Sequence, residues 1–264
     1  NILKFLNTKQ YMDFYRIAAA NSDAIDGYDV KDPDSYTSYM ESFFDTQSLG
    51  TLGTAKQADT DWGALAFQEA PSAQYDLNLS GGNDKTKYYF GGSYYNNQGI
   101  IKNSDFQRFS FRSNIDQVIN KWMSMNMGLN YTNSSANEKP DGQSFFSPTN
   151  AVTIIGNFHD IWTRDANGNI KAVGERGRAN PVSVIEDIKQ RQSTNRVLAN
   201  FGLKLKPMKG LTVDYTMGID NYAQNGTTYI PPYAYNVNPA FFGGGVTLDP
   251  TLNGYASTAS NHFF

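Results

Sequence analysis

From Gln74 onward the sequence alternates polar and apolar residues one for one. That period of two excludes a helix, whose apolar positions recur every three or four residues. In residues 122–133 the odd positions are Met123, Met125, Met127, Leu129 and Tyr131, and the even ones are Trp122, Ser124, Asn126, Gly128, Asn130 and Thr132. Residues 195–206 set Val197, Ala199, Phe201, Leu203 and Leu205 against Arg196, Asn200, Gly202, Lys204 and Lys206, with Leu198 alone out of place. Residues 211–220 alternate Leu211, Val213, Tyr215, Met217 and Ile219 with Thr212, Asp214, Thr216, Gly218 and Asp220. Earlier, Phe109, Phe111 and Ile115 oppose Arg108, Ser110, Arg112, Asn114 and Asp116. Each stretch predicts a strand with one apolar and one polar face.

The connections come in two kinds. Tight ones, "GGNDK" at 81–85, "VINK" at 118–121 and "PMKG" at 207–210, alternate with longer ones at 97–104, 135–193 and 225–251. Antiparallel strands of ten or more residues, an apolar face, a polar face rich in Gly, Ser and Asn, and short and long connections in turn are the pattern of an outer-membrane β-barrel. A soluble β-sandwich also alternates, but its strands run nearer ~5–6 residues. The apolar content is spread through this alternation, with aromatics at 14% of the chain, rather than gathered in blocks.

Ahead of the strands the period changes. "NTKQYMDFYRIAAAN" offers Tyr11, Phe14, Tyr15 and Ala18 at helical spacing with Asn7 or Thr8 as cap, and a second helical piece follows Pro33 in "DSYTSYMESFF". The expected division is therefore 1–73, a loop segment with short helices, and 74–264, strands with large loops at 135–193 and 225–251. The start carries no signal-peptide apolar region, and no stretch approaches the roughly 18 apolar residues of a membrane helix. The sequence stops in "LNGYASTASNHFF", within an alternating run, so an interior stretch of a longer chain is expected.

Chemistry candidates fail one by one. Without cysteine there is neither disulfide nor thiolate chemistry, and a net charge of −3 gives no reason to expect nucleic acid. His159 and His262 lack metal-ligand spacing. "DANGN" at 165–169 resembles the start of a calcium loop, but Ile170 stands where the loop needs Gly and Arg176 where it needs the closing Glu; Asn167-Gly168 reads better as a hairpin turn. "GGG" at 243–245 lacks the Lys of a phosphate loop, and there is no nucleophile elbow. No enzyme, metal or cofactor is expected.

The run "TDWGALAFQEAPSAQYDLNLSGGNDKTKYYFGGSYYNNQGIIKNSDFQRFSFRSNID", followed by "NPVSVIEDIKQRQSTNRVLANFGLKLKPMKGLTVDYTMGID", resembles the early barrel of SusC/RagA-type TonB-dependent outer-membrane transporters of the Bacteroidetes. "LNTKQYMDF" is similar to the helical segment that precedes it in that family. The resemblance implies an all-β, antiparallel transmembrane barrel of about 22 strands, of which six strands and the start of a seventh are here. It also implies import of oligosaccharides or peptides, a SusD-type surface lipoprotein as partner, and coupling to the TonB complex through a plug that lies elsewhere. Lipid of the outer membrane would surround the apolar face.

Within that frame Arg108, Arg112, Asp116, Lys204, Asp214 and Asp220 become lumen- or plug-facing residues. The loop aromatics Phe158, Trp162, Tyr229, Tyr233, Tyr235, Phe241 and Phe242 have three readings: packing of the loops on one another, a partner interface, or contact with cargo. A soluble β-sandwich glycan-binding module and a non-transporting structural barrel stay open as alternatives.

Overall fold

The computed structural model describes residues 6–46, 58–140, 147–157, 180–230 and 255–263. These fall into two compact units, a helical one and a sheet.

The sheet is built from seven strands: β1 (Ser72–Gly82), β2 (Thr86–Gln98), β3 (Asp105–Asn120), β4 (Met123–Glu138), β5 (Lys189–Met208), β6 (Leu211–Ile230) and β7 (Tyr255–Phe263). They pair strictly in chain order, β1 to β7, as a meander, and the β1–β2 to β5–β6 pairings are all antiparallel. The three tight turns are 83–85, 121–122 and 209–210, the first and last within the expected stretches and the middle one shifted past 118–120, which belong to β3. Gly210, with φ of 86°, supplies the left-handed position that closes β5 onto β6. The turn after β3 is Lys121–Trp122, so Trp122 belongs to a turn and not to the polar row of β4.

The strands outrun the sequence-based bounds. β4 continues to Glu138 and β5 begins at Lys189, leaving a connection of 139–188 rather than 135–193. β6 continues to Ile230, so the next connection is 231–254 rather than 225–251. The extensions of β4 and β5 are polar on both faces, as in "TNSSANE" and "KQRQSTN", so no period marks them.

The helical unit holds α1 (Thr8–Asp26), α2 (Tyr36–Thr46), α3 (Trp62–Ala66), α4 (Pro148–Ile154) and α5 (Pro181–Asp187). Asn7 starts α1 with a capping box: its side chain accepts from the Gln10 amide at 2.8 Å, and the Gln10 side chain accepts from the Asn7 amide at 3.1 Å. Gly27 at φ 77° ends it. The buried stripe of α1 is Met12, Ala19 and Asp23, flanked by half-buried Tyr11 and Tyr15; Phe14 and Ala18 point outward, unlike the expected face. Met12 packs on Phe44 of α2, with Tyr11, Tyr15 and Met40 around them. Asp23, fully buried, accepts from the Tyr36 and Thr37 amides at 2.6 and 3.1 Å and from the Thr37 hydroxyl at 2.6 Å. A carboxylate of one helix thereby caps the start of the next. Elsewhere in this unit the Trp62 indole donates to the Gly156 carbonyl at 3.1 Å, and Lys139 Nζ donates to the Ile185 and Ile188 carbonyls at 2.7 and 2.9 Å, closing the C-terminus of α5.

All the buried apolar core residues among the described ones belong to the helical unit. The hydrophobic side chains of the sheet are half-exposed or exposed, and that difference leads to the site.

Candidate functional site

Register shows what the alternation assembles. Across the sheet Ile115 pairs with Met127, Met127 with Phe201, and Phe201 with Met217. One step toward the turns Gln117, Met125, Leu203 and Tyr215 align, and one step the other way Ser113, Leu129, Ala199 and Ile219. Tyr75, Leu77 and Leu79 of β1 join through Tyr94, Gly92 and Phe90 of β2. Six strands thus share one nearly uninterrupted apolar face. It lies open: Leu77 is 79% exposed and Met217 47%. A contiguous exposed apolar surface of this extent marks an interaction with lipid or protein.

Along β6 the apolar row from Leu211 to Ile219 covers about 27 Å of strand. At the ~35–45° tilt of barrel strands that spans about 20 Å, close to the ~25 Å band of an outer-membrane barrel. The loop-side margin of the row is aromatic, with Tyr75, Tyr94, Phe109 and Tyr131 on successive strands; the Phe109 and Tyr131 rings lie 6.5 Å apart. No described helix is long and apolar enough to cross a membrane, which says nothing of crossing by strands.

The opposite face is polar, and register puts Arg108, Arg112, Asp116, Lys204, Asp214 and Asp220 together on it. Lys204 Nζ lies 3.5 Å from Asp214, directly across β5–β6. Asp220 is held by Arg196 in a two-pronged pair, Nε–Oδ1 2.9 Å and Nη2–Oδ2 2.6 Å. Arg108 sits over the Tyr95 ring, 5.7 Å from its centre. Near the tight turns this face forms a recess of about 450 Å³ lined by Lys87, Asp116, Asn126, Lys204, Asp214 and Thr216 among others. Leu198, the residue out of place in the alternation, stands on the polar face opposite Asp220.

Sequence reasoning did not single out Arg196, Lys87 or Tyr95 as parts of this wall. The signal was available for Arg196: with "PMKG" as a hairpin, it falls one diagonal step from Asp220. Of the loop aromatics, Tyr229 is a strand residue of β6 opposite Lys189, in register with the apolar row rather than in a loop. Phe158, Trp162, Tyr233, Tyr235, Phe241 and Phe242 lie outside the described residues, as do His159, the 165–169 stretch and the 243–245 glycines. Among the described residues no cluster of His, Asp and Glu could hold a metal ion.

A consecutive antiparallel meander with an open apolar face, an ionic opposite face, short turns at one end and long connections at the other defines a segment of barrel wall. No family model matches the sequence. The chain is 24% identical over 200 residues to a TonB-dependent receptor of Formosa agariphila, covering 73% of this chain and 19% of that protein. It is 22% identical over 246 residues to the TonB-dependent receptor SusC of Bacteroides thetaiotaomicron, covering 83% of this chain and 24% of SusC. The structure of the RagAB peptide transporter superposes with a TM-score of 0.63 at 18% identity, over 88% of this chain and 27% of that one. The chain is similar to a segment of TonB-dependent receptors of the SusC/RagA type; it spans about a fifth to a quarter of the length of the curated relatives it matches.

Proposed function

We propose that this chain forms an early stretch of the barrel wall of a TonB-dependent outer-membrane transporter, its apolar face against lipid and its polar face toward the lumen. The observation that carries the reading is the apolar surface shared by six strands in register and left open by the described residues. In a sandwich that surface would be covered by a second sheet. As a barrel wall it is solvated by acyl chains, and every backbone group of an inner strand is already paired within the sheet.

On this reading the long connections face the cell exterior and the tight turns the periplasm. The cargo is a hydrated oligomer, an oligosaccharide or a peptide, taken in with a SusD-type lipoprotein at the surface and with energy delivered by TonB through a plug. The ionic wall around Lys204, Asp214, Arg196 and Asp220 supports polar contacts with such a plug or cargo. The likeness in fold to the RagAB peptide transporter is in keeping with a peptide, and the oligosaccharide rests on the resemblance of the sequence to its family alone.

This chain has no cysteine, so single cysteines introduced into it report topology once any cysteines elsewhere in the full-length protein are replaced by serine. In the full-length gene product, a membrane-impermeant maleimide applied to intact cells should label Asn103→Cys, in the β2–β3 connection, and leave Lys209→Cys, in the β5–β6 turn, unlabelled. Labelling of Lys209→Cys alone overturns the orientation. Recovery of the protein without detergent overturns the barrel itself.

A further inference from the structure

The surface that carries the apolar rows does not end where they end. Above Val197 the same side of the same strands continues as two wholly polar rows. Gln107, Ser135, Ser193 and Asn225 align across β3 to β6, and one step beyond them Asp105, Asn137, Arg191 and Thr227 align. All eight line one recess of about 430 Å³. The row beneath them, Phe109, Asn133, Asn195 and Ala223, is the transition. There Asn195 Oδ1 accepts from Asn133 Nδ2 at 2.7 Å and from the Tyr131 hydroxyl at 3.2 Å.

The donors in this recess are unevenly used. Asn137 Nδ2 donates to Asp105, an acid at the far side of the row from Arg191, and Asn225 Oδ1 accepts from Ser260. The side chain of Arg191, between Asn137 and Thr227, makes no hydrogen bond or ion pair with the described residues. An unpaired guanidinium ringed by hydroxyls and amides is a fork for a phosphate set among partners for sugar hydroxyls. The rows hold no apolar or aromatic anchor of the kind that centres a protein interface. From the Val197 row to the Ser193 row is about 13 Å of strand, so a molecule whose acyl chains lie along Met127, Phe201 and Met217 would present its headgroup here.

Resting on the barrel reading, we propose that this recess binds the phosphorylated sugar headgroup of an outer-leaflet glycolipid, with Arg191 as the phosphate ligand. The site then ties the wall to one class of lipid on the outside, independently of what passes through the lumen.

The test uses full-length protein purified from outer membranes in mild detergent and shown by heat-modifiable gel migration to be an assembled barrel. Diphosphoryl lipid A is added and binding is read by native mass spectrometry. Wild type should retain it, and Arg191→Ala should bind it about ten- to a hundredfold more weakly. Arg196→Ala, on the other face of the same strand, should bind as wild type does. Excess inorganic phosphate should leave the lipid bound; displacement by it would identify a free-phosphate site and overturn the lipid assignment. An assembled barrel in which Arg191→Ala and wild type bind equally overturns the proposal and spares the barrel reading. Failure of the wild type to migrate as a barrel overturns both.

Discussion

The Asn126 side chain lies over Gly202 on the neighbouring strand: a Cβ on Gly202 would stand 1.9 Å from Asn126 Oδ1. The relation is reciprocal one step on, where Asn200 occupies the space that a Cβ on Gly128 would need, 2.1 Å from its Oδ1. Two asparagines and two glycines thus form a checkerboard at the centre of the polar face.

Gly202→Ala should therefore push the exposed Asn126 side chain into another rotamer, at a cost of about 0.5–1.5 kcal/mol. Asn126→Gly in the same protein should recover most of the loss. A double-mutant cycle by thermal unfolding in detergent measures the coupling; strict additivity would show that the two residues do not share this space.

Met217 and Thr216 are neighbours on β6 and differ in face. Met217→Arg should cost about 2–4 kcal/mol of assembly, the penalty for a cation on the lipid side near mid-bilayer. Thr216→Arg, entering a recess that already holds Lys204 and Asp214, should migrate in a heat-modifiable gel as wild type does. Equal assembly of the two variants would contradict the assignment of faces.

A lipid-facing row also tolerates changes of shape that a packed core would not. Replacing Met123, Met125 and Met127 together by Leu should leave assembly unchanged within the error of the same gel assay. A clear loss would mean that protein, not acyl chain, covers this row.

The Arg196–Asp220 pair is about half exposed, so its worth is the small one of a surface ion pair, screened by salt. Arg196→Ala and Asp220→Ala should each lower the unfolding temperature slightly and by similar amounts, and the difference should shrink in high salt. The double variant should be no worse than either single one. Thermal unfolding at two ionic strengths checks it.

Asp23 gives the helical unit a pH dependence. Burial pushes its carboxyl upward, but hydrogen bonds from the Thr37 hydroxyl and amide and from the Tyr36 amide outweigh this and hold it below the ordinary 3.8. A depressed folded-state value means stability that is complete above the unfolded value and lost as pH falls through the folded one. Limited proteolysis should find the α1–α2 junction resistant at neutral pH and increasingly open below pH ~4. Asp23→Asn should flatten that acid response; an unchanged pH profile in the variant would place the titrating group elsewhere.

Strand identity and the two-sidedness of the sheet were legible because one apolar and one polar face impose a strict period of two, which Met123–Tyr131 and Leu211–Ile219 display openly. The alternation stops where both faces meet polar surroundings, so Ser134–Glu138 and Lys189–Thr194 carry no periodic mark although they continue the ladder. The face of α1 was half legible: spacing alone does not rank Phe14 against Met12, and the choice was made by Phe44 and by Asp23, thirteen residues ahead of the helix start it caps. The asparagine and glycine checkerboard was invisible, since it depends on which residues of β4 and β5 stand opposite one another across a connection of fifty residues.

β5 and β6 are each twenty residues long, far longer than their apolar rows. On the proposed barrel reading, their far ends form a stiff palisade of inter-strand bonds that continues beyond the oily layer. The reach of that palisade would be set by ladder length alone. A molecule landing on it would meet a mount that is already rigid, and the host would lose little freedom in binding it.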